Sequence, residues 1–250
     1  MSPIKLLNKH SMMNEILKSE DFQMAAENFR YLLNHRYSRK AALELVGNHY
    51  QLTSDQRHLL HRGVFSDRDS NSRLKKNIPP HRIHGKDLVI DGYNVIITIE
   101  AGLLGQPLVL ADDGFIRDIS GLSGNFKKTE LTEQALQLLS AVLKQIKPRR
   151  TLFLFDSPIS KSGELAQEVR NILKRENLPG DSIAVKVPEK MMIGFLGVIA
   201  TSDTAIIDQS KKVVDLAGYI VINLPFRRLK SAATYSIIRW RKKRGTLGKK

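Results

Sequence analysis

Short apolar runs alternate with longer amphipathic stretches through the second half of the chain. Leu88-Val89-Ile90, Leu152-Phe153-Leu154-Phe155 and Val198-Ile199-Ala200 are rich in β-branched and aromatic residues. This is the pattern of strands buried on both faces. It predicts strands at 87–90, 151–155, 183–187, 198–200 and 219–222. Helices are expected over 130–146, from Ser162 onward and over 203–217. Residues 95–104 are largely apolar and fit either a helix or a continuation of the first strand. Leu108-Val109-Leu110 and Phe115-Ile116 flank Ala111-Asp112-Asp113-Gly114, a hairpin signature. Strands alternating with helices predict an α/β domain with a mostly parallel sheet.

The front of the chain has a different period. Phe22, Ala25, Ala26, Phe29, Leu32 and Leu33 recur at helical spacing behind Ser19. Ser38 and Ser54 begin two further helical patterns, so residues 1–65 read as a small all-helical domain. The stretch Gly47–Thr53 is long for the turn of a helix-turn-helix motif. Residues 66–86 are polar, charged and proline-containing, and read as a linker or ordered arm. The α/β domain is expected over 87–226, followed by a basic helix over 229–241 and a tail.

Charge sharpens this division. The net charge of +15 is unevenly spread. Residues 1–86 carry 15 Lys/Arg against 8 Asp/Glu, residues 87–226 carry 15 against 17, and residues 227–250 carry 10 against none. A near-neutral core between basic flanks points to a polyanion, most often nucleic acid. Arg57, Arg62, Lys75, Lys76 and Arg82 in front, and Arg239, Arg241, Lys242, Lys243 and Arg244 behind, are the candidate RNA contacts. No cysteine is present, which excludes disulfides and thiolate metal sites. No apolar run reaches the ~18 residues of a membrane span, and the first residues lack the apolar region of a signal peptide. A cytoplasmic location with no membrane partner is expected.

The chemistry gathers at strand ends. Asp91, Asp156 and Asp203 each follow one of the apolar runs. In a parallel sheet, ligand sites lie beyond the carboxyl ends of the strands. Each aspartate can be a helix cap. Three together make a carboxylate cluster, which hard cations such as Mg²⁺ or Mn²⁺ stabilise. Asn94, in Asp91-Gly92-Tyr93-Asn94, is placed to orient a ligand or brace the loop. Ser160, Lys161 and Ser162 precede a helix whose N-terminus favours phosphate, and Glu164 there either faces the same site or complements the dipole of its own helix. Glu189 and Asp208 are further acidic candidates for the metal, although either also fits a solvated surface position. There is no Walker loop, no glycine-rich dinucleotide fingerprint and no G-x-S-x-G elbow. A haloacid-type phosphatase would carry a second aspartate where Tyr93 stands.

Asp91-Gly92-Tyr93-Asn94-Val95-Ile96, Leu154-Phe155-Asp156 and Ala200-Thr201-Ser202-Asp203, in that order, resemble the PIN-like nucleases and especially their NYN branch. The whole chain, with Ala41-Ala42-Leu43-Glu44-Leu45-Val46-Gly47 in its helical front, resembles a largely uncharacterised archaeal family carrying a PIN-like second domain. The resemblance implies a three-layer α/β/α fold and RNA cleavage with Mg²⁺ or Mn²⁺. Asp91, Asp156 and Asp203 would be the ligands and Asn94 their support. NYN-type nucleases carry an acid-rich segment before the last motif, whereas this chain has Val187-Pro188-Glu189-Lys190-Met191-Met192. Two functions are therefore expected: a metal-dependent ribonuclease, or a non-catalytic RNA- or ribosome-binding protein on the same fold. A small-molecule phosphotransfer enzyme acting through Ser160–Gly163 leaves the basic flanks without a purpose.

Overall fold

A computed structural model describes residues 15–16, 19–119, 126–223 and the backbone of 237–239. From residue 19 onward the described chain forms the helices α1 (Glu20–Asn34), α2 (Arg39–His49), α3 (Ser54–Gly63) and α4 (Asp67–Lys76). Phe22, Ala25, Ala26 and Phe29 of α1 meet Ala42 and Val46 of α2 and Leu59 and Leu60 of α3 in a core of their own. The helix caps differ in detail from the sequence reading. Ser38 accepts a hydrogen bond from the Ala41 amide, but Ser19 makes no side-chain cap. Thr53 replaces Ser54 as the third cap, in a reciprocal capping box with Gln56.

The segment read as a linker or arm is largely helical. Ser66 caps α4 through the Asp69 amide, and acids in the first turn with bases in the last complement the helix dipole. Its buried residues are Ser70 and Arg73, and its single leucine, Leu74, is exposed. Ion pairs rather than an apolar stripe hold α4 in place, so a search for hydrophobic periodicity passes over it.

The second part is α/β. Its main sheet is fully parallel, in the order β5-β4-β1-β6-β7, with β1 (Asp87–Asp91) at the centre. β4 (Arg150–Asp156) and β6 (Val198–Ala200) flank β1, and β5 (Gly180–Val185) and β7 (Val213–Val214) form the edges. One face carries α5 (Gly92–Leu103), α6 (Glu130–Ile146), α7 (Ser162–Arg175) and α10 (Leu216–Asn223), which share a core with Leu88, Ile90, Phe153 and Phe155. The other face carries α8 (Pro188–Met192) and α9 (Thr204–Gln209), with Met192, Ile206 and Ile207 against Val89, Leu154 and Ile199. This is a three-layer α/β/α domain: the parallel sheet is the one the alternation predicts, and the layering is the one the resemblance implies.

Three assignments shift. Residues 219–222 were expected as a strand and lie in α10. Leu216, Ala217, Gly218, Ile220 and Val221 are buried while the apolar Ile222 is exposed, so no polar face reveals the period of this helix. The helix expected over 203–217 stops at Gln209, and Val213–Val214 supply the fifth strand. The strand expected at 183–187 runs from Gly180 to Val185.

Strands β2 (Leu108–Leu110) and β3 (Ile116–Asp118) form the expected antiparallel hairpin. Leu108 and Ile116 pack with Ala101 and Val221 of the α/β part, whereas Val109 belongs to the core of the front helices. Alternate residues of one strand thus face two different cores. Ile237–Arg239 form β8, parallel to β2. The helix expected over 229–241 therefore gives way to a strand in its described portion, consistent with the β-branched pair Ile237-Ile238. Arg241, Lys242, Lys243 and Arg244 lie outside the described residues. No helix among the described residues is long and apolar enough to cross a membrane.

Candidate active site

Because β4, β1 and β6 are neighbours, Asp156, Asp91 and Asp203 emerge side by side at the carboxyl edge of the sheet. Two of them are also caps. Asp91 Oδ1 accepts from the Asn94 amide at 3.4 Å at the start of α5. Asp203 Oδ1 accepts from the Ala205 and Ile206 amides at 2.9 and 3.1 Å at the start of α9. Capping and clustering are not alternatives here, since the same turn that frees the helix N-terminus brings its aspartate to the edge.

Side-chain bonds tie the motifs together. The Thr201 hydroxyl donates to Asp91 Oδ2 at 2.9 Å and its oxygen accepts from the Asp203 amide at 3.1 Å. Asn94 Oδ1 accepts from both the amide and the hydroxyl of Ser202, at 2.8 and 3.0 Å. Asn94 is therefore the brace between the first and third motifs.

The carboxylates sense one another. Burial pushes Asp91 up to about 7, against the hydrogen bonds from Thr201 and Asn94, and the charges of Asp203 and Asp156 raise it further. Asp156 is raised by burial and by Glu189. Tyr93 is pushed up to about 12 by burial and by Asp156. Repulsion among clustered carboxylates is relieved either by a proton, as the raised Asp91 shows, or by a cation. Among the described residues, however, no three His, Asp or Glu side chains stand close enough to enclose one. A cation there would be held by one or two carboxylates with water and substrate phosphate completing the shell, the manner in which proteins commonly hold Mg²⁺.

Asp208 is not part of this group. Arg73 holds it through Nε and Nη2 at 2.7 and 2.8 Å, because the turn of α9 after Asp203 carries it toward α4. Lys76 is likewise engaged, its Nζ donating to the carbonyls of Ile207 and Asp208 at the end of α9. Arg57 ties the turn before α3 by donating to the Leu52 carbonyl and Asn48 Oδ1. Lys75 and Arg82 are exposed and make no ion pair among the described residues.

On the β4 side, Tyr93, Lys128, Ser160, Lys161 and Glu164 line a cavity of about 1070 Å³. The cap before α7 is Lys161, in the left-handed region at φ +65°, and not Ser162, which is the first helical residue and is buried. The Tyr93 hydroxyl is buried with no hydrogen-bond partner among the described residues.

On the Asp203 side lies a feature the sequence reading missed. Arg39, Arg73 and Arg117 stand over the Phe65 ring at 4.4, 4.6 and 5.0 Å from its centre. Arg117 is buried; its Nη1 and Nη2 fork onto Asp113 at 2.7 and 2.9 Å, and its Nε donates to the Ser202 carbonyl at 2.8 Å. Arg62 donates to the carbonyl and carboxylate of Asp118. These arginines come from α2, α3, α4 and β3, so no local motif announces the cleft.

Gly92 allows the close approach of α5 to the sheet. A Cβ there would meet the Phe155 ring at 2.3 Å, and Phe155 is fully buried. Gly92→Ala is expected to lower stability by about 1–3 kcal/mol, the range for overpacking a filled core, as read from the denaturant midpoint. An unchanged midpoint would show that β1 and α5 are less tightly apposed.

The family model described as "Domain of unknown function (DUF5616)" matches residues 80–219, and that described as "Protein of unknown function (DUF434)" matches residues 21–76. The chain is 35% identical over 196 residues to "Uncharacterized protein MJ0935" of Methanocaldococcus jannaschii, covering 78% of this chain and 93% of that one. The archaeal source of this relative agrees with the archaeal family that the sequence resembles. No solved structure matches.

Proposed function

The chain belongs to the DUF5616 family; from the geometry of its acidic edge we propose that it is a PIN-like, metal-dependent ribonuclease. The observation that carries this reading is the convergence of Asp91, Asp156 and Asp203 from three adjacent strands, close enough that two of them raise the proton affinity of the third. Asp91 and Asp156 are the residues to hold Mg²⁺ or Mn²⁺, with Asp203 and Glu189 beside them. Such a cation offsets phosphodiester charge and lowers the pKa of water. Asn94 and Thr201 hold the acidic loops in register. The arginine cleft on one flank and Lys161 on the other give an RNA backbone basic ground on both sides of the acids. Contacts of that kind bind phosphate without reading sequence.

A second reading is favoured by a specific observation. Both Asp91 oxygens and one Asp203 oxygen already accept hydrogen bonds from the protein, as suits an acidic edge kept for structure. On that reading the protein binds RNA or a ribonucleoprotein without cutting it. End-labelled single-stranded and structured RNAs, incubated with Mg²⁺, Mn²⁺ or EDTA, separate the two. The nuclease reading expects cutting that needs the metal and falls to background in Asp91→Asn, with binding retained. Binding without cutting, the same in both proteins, would establish the second.

A further inference from the structure

The front helices, the hairpin and the Asp203 loop enclose a cavity of about 560 Å³. Its lining includes six arginines, at 36, 39, 62, 68, 73 and 117, against two carboxylates, Asp69 and Asp203. Three of the arginines are matched: Arg62 by Asp118, and Arg73 and Arg117 by a shared Asp113, with Asp208 also on Arg73. The other three make no ion pair among the described residues. Arg39 donates to the carbonyl oxygens of His61 and Val64, which carry no charge. Arg36 and Arg68 are exposed at the mouth and make no ion pair among the described residues. Burial, with the charges of Arg73 and Arg117, presses Arg39 down to about 10 although Asp113 and Asp69 pull the other way, and burial with Arg39 presses His61 down to about 4. Holding like charges together in a partly dry cleft costs free energy that an anion returns.

Three properties define that anion. Guanidinium forks match phosphate oxygens two at a time. A phosphomonoester carries nearly two charges at neutral pH, against one for a backbone diester, and so answers three unmatched arginines better. The cavity volume lies in the range that encloses a small organic ligand. Tyr37, 57% exposed, lines the same cleft and offers a ring face on which a base can stack.

We infer that this cleft binds the phosphomonoester end of a nucleotide, with the phosphate on Arg36, Arg39 and Arg68 and the base against Tyr37. The inference rests on the ribonuclease reading for the polymer: a strand anchored here runs past Asp203 toward Asp91 and Asp156. The phosphate site itself rests on the arginines alone.

Isothermal titration calorimetry in EDTA tests it. The probes are one short RNA with a 5′-phosphate, a 3′-phosphate or hydroxyls at both ends, together with a nucleoside monophosphate and inorganic phosphate. The proteins are the wild type and Arg36→Ala/Arg68→Ala, a double variant of exposed side chains that make no ion pair among the described residues, its fold checked by circular dichroism. One phosphorylated form is expected to bind about tenfold or more tightly than the hydroxyl form. That gap should close in the double variant, and the monophosphate should compete for the site. Equal affinity for all three RNAs, or a gap that survives in the double variant, overturns the cleft and leaves the RNA reading standing. Arginine-dependent binding of the monophosphate with no binding of any RNA keeps the cleft and removes the RNA reading. No binding of any probe overturns both.

Discussion

Asp91→Asn is expected to make the protein more stable above neutral pH and to abolish its stabilisation by Mg²⁺. The Asp91 carboxyl is raised to about 7 in the folded chain from 3.8. A carboxylate with a raised pKa disfavours the folded state once it must ionise. The penalty is absent below about pH 4, where both states hold the proton, grows as pH rises toward 7, and is full above that. Three pKa units correspond to about 4 kcal/mol. Asp91 keeps partial contact with solvent, and asparagine has its own desolvation cost, so this is an upper figure. At about 2–4 °C per kcal/mol for a chain of this size, Tm at pH 8 should rise by several degrees, and the gain should shrink by more than half at pH 5. In the wild type at pH 8, millimolar Mg²⁺ should raise Tm, because a ligand that binds only the folded state stabilises it; the variant should not respond. A variant less stable than wild type at pH 8, with both proteins indifferent to Mg²⁺, would identify Asp91 as a cap and nothing more.

Asp113→Ala is expected to be the most damaging single change away from the acidic edge. Asp113 is fully buried and accepts from two guanidiniums, Arg117 at 2.7 and 2.9 Å and Arg73 at 3.2 Å. Removing one partner of a buried ion pair costs about 3–5 kcal/mol, because a charge is left in a poor solvent. Here two charges lose the same partner. Tm should fall by roughly 10 °C. Arg117 also loses the anchor that holds it against the Ser202 carbonyl, so on the proposed nuclease reading RNA cleavage should drop even where the protein stays folded. Asp87→Ala is the contrast, since Asp87 pairs with Arg149 at the exposed surface, where such pairs contribute about 0–1 kcal/mol. Equal losses in the two variants would contradict the picture of a buried ionic knot.

The central strands were legible because each is a short apolar run ending in a carboxylate, and α6 because seven of its seventeen residues form one buried stripe. The three aspartates were legible for the same reason, as strand ends of a parallel sheet can meet only at one edge. What escaped lacks a local signature. Helix α10 shows β-branched residues and no polar face, the two-residue β7 is too short to have a period, and α4 is held by Arg73 and Lys76 instead of apolar contacts. Asp208 looked like a candidate ligand because its partner, Arg73, is 135 positions away. The arginine cleft was invisible for a related reason. Its members are ordinary surface charges until α2, α3, α4 and β3 come together around Phe65.

The hairpin turn carries one further implication. Its adjacent carboxylates divide their work: Asp112 accepts from Arg30 and the Phe65 amide, and Asp113 from Arg73 and Arg117. Residues 21–76 and 80–219, which match separate family models, are therefore not interchangeable modules. Cut at residue 78, the first half would leave Arg30 and Arg73 without Asp112 and Asp113, and the second would carry the hairpin with Val109 stripped of its core. Transplanting the first half onto another α/β domain would require the Asp-Asp turn to travel with it.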